Sequence, residues 1–122
     1  MVRAVRGAIV AHENTERAIF EATQTLLRAI VEKNQLSVDS VVSVFITATA
    51  DLNAAFPAYA AREMGWDRIP MLCAQEIQVP GSMARVIRVL IHLNLDEGAG
   101  ALRHQYLGET RKLRPDLSEA KE

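Results

Sequence analysis

Aromatic residues are scarce in this chain: one Trp, two Tyr and three Phe make up 5% of 122 residues. No basic run is interleaved with them, so the stacking platforms and cationic stripes that bind nucleic acid are missing. Cysteine is scarcer still. The single Cys73 excludes an internal disulfide and any cysteine-built metal site, as suits a reducing compartment. No apolar run reaches the ~18 residues that span a bilayer. The opening, MVRAVRGAIVAHEN, has too short an apolar part for a signal peptide. A cytoplasmic location with no membrane partner is therefore expected. The three histidines, His12, His92 and His104, stand on separate segments without metal-ligand spacing, so no metal is expected. There is no Gly-x-Ser-x-Gly elbow and no dinucleotide fingerprint, and Glu97-Gly98-Ala99-Gly100-Ala101 is too poor in phosphate-loop features to cradle a nucleotide. No cofactor is expected. Cys73 has no histidine nearby in sequence to activate it, and in an aliphatic strand it reads as a core residue rather than a nucleophile.

What is present is an ordinary globular composition, 49% hydrophobic and 24% charged with a net charge of -1. Residues 1–122 read as one domain, small enough that an oligomer would help close its core. The polar tail, about residues 116–122, is expected to fray. Val2 to Val10 alternates as a strand, with Arg6 among small apolar residues. Asn14 is placed to cap a long amphipathic helix through Lys33, whose stripe is Ile19, Ala22, Leu26, Ala29 and Ile30. Val41 to Ala48 reads as a strand buried on both faces, in a parallel or mixed sheet. Asp51 or Asn53 is placed to cap a short helix, Ala54 to Met64, on which Tyr59 and Arg62 share a face. Pro70 to Leu95 reads as two buried strands, Met71 to Val79 and Ala84 to Leu95, broken at Pro80-Gly81-Ser82. A last strand is expected at His104 to Leu113. The fold class that follows is α/β (α+β): a mixed sheet with one long helix and short helices.

Alternation in the second of those strands puts Arg88 mid-strand among aliphatic neighbours. Burying a guanidinium costs several kcal/mol, roughly, unless an anion compensates, so Arg88 needs either Glu76 on the preceding strand or a bound acidic ligand. Arg6, Arg88, Glu76, Cys73 and Tyr106, with Arg62 and Arg114, are the remaining polar groups of interest. Several arginine forks on rigid elements suit recognition of a small dicarboxylate.

Eight segments, in order and with matching spacing over almost the whole chain, resemble the monofunctional chorismate mutases of the AroH class. They are Val5-Arg6-Gly7-Ala8, Thr47-Ala48-Thr49 with Asp51-Leu52, Ala55-Phe56-Pro57-Ala58, Cys73-Ala74-Gln75-Glu76, Val79-Pro80-Gly81-Ser82, Ile87-Arg88-Val89, Arg103-His104-Gln105-Tyr106-Leu107 and Leu113-Arg114-Pro115-Asp116-Leu117. The resemblance implies a homotrimer whose subunits form a pseudo-α/β-barrel, with active sites between neighbouring subunits, and the isomerisation of chorismate to prephenate in phenylalanine and tyrosine biosynthesis. Carried over by motif, Arg6 and Tyr106 would hold a substrate carboxylate, and Arg88 would lie against the ether oxygen. Glu76 and Cys73 would take the ring hydroxyl, and Gln75 would stand beside them. Phe56, Ala58, Leu72, Ala74 and Leu113 would line the cleft, and Arg62 and Arg114 would guide the anion or close the mouth. Tyr59 departs from the pattern, since relatives commonly carry lysine there.

Such a rearrangement breaks a carbon–oxygen bond as a carbon–carbon bond forms within one molecule, so it needs no nucleophile, base or cofactor. Two other functions share some of these features: a non-catalytic trimeric module binding a small acid through the same arginines, and a trimeric imine or enamine deaminase. An ultraviolet assay of chorismate loss separates the first, and ammonia release the second.

Overall fold

Alternation and helical periodicity translate into a five-stranded sheet with two helices on one face. In a computed structural model residues 1–116 are described. β1 (Val2–Val10) leads to α1 (Glu16–Asn34), a 3-10 turn (Val38–Ser40) and β2 (Val41–Ala48). α2 (Pro57–Glu63), β3 (Met71–Gln75), β4 (Val86–Asn94), β5 (Gln105–Tyr106) and a second 3-10 turn (Gly108–Lys112) follow. The strand order is β3-β2-β4-β1-β5. β4 pairs antiparallel with β1 and β2, while β3 and β5 add in parallel at the two edges, so the sheet is mixed. Among the described residues no helix is long and apolar enough to cross a membrane.

Period-two alternation sorts the sheet into two unlike faces. Val5, Val44, Ile46, Ile87, Val89, Ile91 and Leu93 are buried beneath Ile19, Leu26, Leu27 and Ile30 of α1, and Trp66 and Ala61 complete this core. Gly7 permits the close approach of α1. A Cβ there would lie 2.6 Å from the Gln105 carbonyl and 3.0 and 3.1 Å from methyls of Leu26 and Ile30. The opposite face carries Arg6, Ala8, Arg88, Leu90, Phe45 and Thr47; neither α1 nor α2 covers it, and only its Ala8 end is closed over, by Tyr106 and Leu113.

Several elements differ from the sequence expectation. α1 is capped by Thr15, whose hydroxyl accepts from the Ala18 amide, while Asn14 instead accepts from the Asn53 and Ala54 amides and fastens the loop before α2. α2 starts at Pro57, later than Ala54, because proline suits the first helical position. Neither Asp51 nor Asn53 caps it; Asp51 accepts from the Arg85 amide at 3.0 Å. That contact, with Arg85 in the left-handed region at φ 54, delays β4 to Val86. β2 is buried on one face only, since Phe45, on the face opposite Val44 and Ile46, is 42% exposed. β3 stops at Gln75 rather than Val79 and is an edge strand, so Cys73 is exposed rather than core. β3 and β4 do not pair with each other, because β2 runs between them. The last expected strand shrinks to Gln105–Tyr106, since Gly108 at φ 56 turns the chain into a 3-10 helix. The expected fraying concerns a tail that, beyond Asp116, lies outside the described residues, as does Leu117.

Candidate active site

Strand register builds the site. Tyr106 lies opposite Ala8, Ala8 opposite Arg88, Arg88 opposite Thr47, and Thr47 opposite Ala74. Residues so paired point to one face, so a single row crosses all five strands on the side that α1 and α2 leave uncovered. The adjacent row on that face is Arg6, Leu90, Phe45 and Leu72. Arg6 is thereby a diagonal neighbour of Arg88, at a spacing of about 7–8 Å, enough to admit a small anion between them.

Arg88 Nε donates to Glu76 Oε2 at 2.8 Å, and Thr47 Oγ1 donates to the same oxygen at 2.7 Å. The pair is sheltered, with side-chain exposures of 32% for Arg88 and 15% for Glu76. The Arg88 charge is thus met by Glu76, one of the two anions it could have used. The bond engages the Nε edge only. Among the described residues no hydrogen bond reaches the terminal amino groups of Arg88, nor any part of the Arg6 guanidinium. Glu76 and Thr47 therefore orient a fork whose outer edge remains free for a ligand. Arg6, Phe45, Thr47, Gln75, Glu76, Ile77, Arg88 and Leu90 line a cleft of about 690 Å³.

Tyr106 is buried against Ala8 and Val86 beside Leu113, and its hydroxyl has no partner among the described residues. His104 Nδ1 accepts from the Arg6 amide at 3.0 Å, and burial, with Arg6 and Arg114 beside it, holds this imidazole below its usual pKa. Arg114 donates to Asp116 from Nε at 3.0 Å and from Nη2 at 2.7 Å, and that bond holds its pKa above the usual value.

The remaining expected residues gather elsewhere. Phe56, Cys73, Ala74 and Gln75 line a second cleft of about 490 Å³ on the far side of β3, with Tyr59. The Phe56 and Tyr59 rings lie 5.4 Å apart, and the Arg62 guanidinium sits 4.9 Å from the Tyr59 ring centre. Tyr59 and Arg62 share a face, as expected. Gln75 alone borders both clefts. Leu72 is 65% exposed on the open face, while Ala58 packs at the margin of the core and lines neither cleft. Within one chain Phe56 and Cys73 thus do not meet Arg88. Among the described residues no cluster of three or more histidine, cysteine or acidic side chains has a metal-holding arrangement.

A family model described as chorismate mutase type I matches residues 2–117. The chain belongs to the type I chorismate mutase family. Two curated relatives are each called chorismate mutase AroH. One, from Thermus thermophilus, is 49% identical over 121 residues, covering 98% of this chain and 99% of that protein. The other, from Bacillus subtilis (strain 168), is 41% identical over 119 residues, covering 97% and 94%. A solved chorismate mutase from Clostridium thermocellum superposes with a TM-score of 0.86 at 44% identity, covering 90% of this chain and 98% of that one. Chorismate mutases isomerise chorismate to prephenate, and membership assigns that activity to this chain. Thr47, which completes the Arg88–Glu76 arrangement, was not singled out by the sequence as a site residue. Its only signal was its place in one of the shared segments.

Proposed function

We propose that this chorismate mutase works by holding the chorismate dianion compact against the open sheet face, with Arg88 as the cation that meets the ether oxygen. The observation that carries the proposal is the Arg88 fork, pinned on one edge by Glu76 and open on the other. As the ether bond lengthens, negative charge grows on its oxygen. A cation already fixed at that place stabilises the transition state more than the ground state, with no reorganisation during the reaction. Arg6 and Tyr106, flanking Ala8 and Arg88 on the same face, hold a carboxylate and so restrict the flexible side arm to the conformer in which the bond-forming carbons meet. Glu76 accepts from the ring hydroxyl. The electron pair of the breaking carbon–oxygen bond and the new carbon–carbon bond stay within one molecule, so the balance needs no outside proton or oxidant.

We also propose a homotrimer that completes a pseudo-barrel. The uncovered face is rich in exposed apolar side chains: Ile77 at 89%, Leu72 at 65% and Phe45 at 42%. Such a patch favours a partner surface. A neighbouring copy would bring its Phe56 and Cys73 toward the Arg88 cleft, joining two groups that one chain keeps apart, with Leu113 lining the cleft and Arg62 and Arg114 at the mouth. The exposed, unpaired Cys73 suits the reducing cytoplasm. The test is a crystal soaked with a bicyclic transition-state mimic, together with sedimentation velocity. The mimic should lie between Arg6 and Arg88 at a boundary between two neighbouring chains. A stable monomer that turns over chorismate at full rate would refute the shared site.

A further inference from the structure

We infer that His104 is a positioning residue: its imidazole clasps the backbone of Arg6 and so sets the distance between the two carboxylate-holding side chains, Arg6 and Tyr106. β5 pairs with β1 at Gly7 and Ala8 only, so the Arg6 amide, next along that edge, has no strand partner. The His104 ring supplies the acceptor instead, at 3.0 Å and half-buried. The adjacent residue is pinned independently, because Asn34 Oδ1 accepts from the Arg103 amide at 2.6 Å and its Nδ2 donates to the Arg103 carbonyl at 2.9 Å. Residues 103 and 104 thus anchor the returning chain to α1 and to β1 just before Tyr106 enters the row. Thr110, whose hydroxyl donates to the Ala8 carbonyl at 2.9 Å, fastens the far side.

An acceptor Nδ1 must carry its lone pair, so the ring is neutral with its proton on Nε2. Protonation would set two donors against each other and add a cation beside Arg6 of β1 and Arg114 of the C-terminal segment. Asp116, from that same segment, is the acidic group that favours the charged form. The geometry and the lowered pKa agree.

The inference rests on Arg6 and Tyr106 being substrate ligands, and the experiment separates the two. In wild-type protein, ¹⁵N NMR at pH 6.5 should show most His104 rings unprotonated with hydrogen on Nε2. An Nδ1–H tautomer, or a ring at least half protonated, would overturn the clasp whatever the enzyme does. His104→Ala should raise KM for chorismate by roughly three- to tenfold, as for one lost hydrogen bond, with kcat changed less than about twofold. His104→Asn, which keeps an acceptor at the Nδ1 place, should restore most of the loss. An unchanged KM in His104→Ala, or an Asn variant as impaired as the Ala variant, would refute the inference while leaving the activity standing. An unchanged KM in folded Arg6→Ala, measured alongside, would instead refute the functional reading beneath it.

Discussion

Replacing Arg88 by methionine removes a charge while keeping much of the volume, and the expected loss can be sized from its surroundings. At about 4 Å and an effective dielectric near 20, a full unit charge interacts by about 4 kcal/mol. The ether oxygen gains only part of a charge, roughly half, but it also gains a charge-assisted hydrogen bond from the open edge of the fork. About 3 kcal/mol results, in line with the ~2.7–4 kcal/mol lost on removing one preorganised donor. At 1.36 kcal/mol per decade this lowers kcat by at least ~100-fold. The variant also leaves Glu76, 15% exposed, with Thr47 as its remaining partner, a stability cost of about 1–3 kcal/mol. The assay is chorismate absorbance loss at saturating substrate, alongside a thermal melt and sedimentation to show that the variant is folded and assembled as the wild type is. Arg88→Lys, a point charge without the fork, should fall between wild type and Met. A drop of less than tenfold in folded Arg88→Met would remove Arg88 from its assigned role.

Glu76→Ala should damage turnover even where the fold survives, because Arg88 loses the bond that aims it and the ring hydroxyl its acceptor; full turnover would take Glu76 out of the site. Cys73→Ser should keep substantial activity, since no bond to sulfur is needed, and complete loss would revive a nucleophilic mechanism. Gly7→Ala should lower the melting temperature markedly, because its Cβ would meet the Gln105 carbonyl at 2.6 Å; an unchanged melt would mean that β5 shifts at little cost. His104 sets a pH dependence of stability. Its folded pKa lies below the usual 6.5, so its contribution is complete above that value and is lost as pH falls through the folded pKa. Denaturant titrations from pH 7.5 downward should show this slope weakened in His104→Asn, and an identical slope would count against it.

Much of the candidate site's geometry was legible because it sits on regular strands. Period two alone isolated Arg88 and Arg6 as polar interruptions of aliphatic rows, and the demand of a sheltered guanidinium for an anion led to Glu76. What alternation lacks is which strand lies beside which. The exposure of Cys73 follows from β3 being at an edge, and the single buried face of β2 from both helices packing on one side; each is set by non-local pairing. Local competition hid other details. Asn14 and Thr15 both have capping side chains, and the Asn53 and Ala54 amides drew Asn14 away. The His104 clasp joins positions 98 residues apart, and no sequence periodicity reports such a contact.

The row that crosses the sheet has a kinetic corollary. It takes one residue from each strand, and its first pair in space, Ala8 and Tyr106, comes from opposite ends of the polypeptide. Loop closure over such a length is slow and comes after local helix formation. During refolding α1 should therefore regain its circular dichroism before any prephenate is made, and catalytic competence becomes a reporter of the last strand to dock.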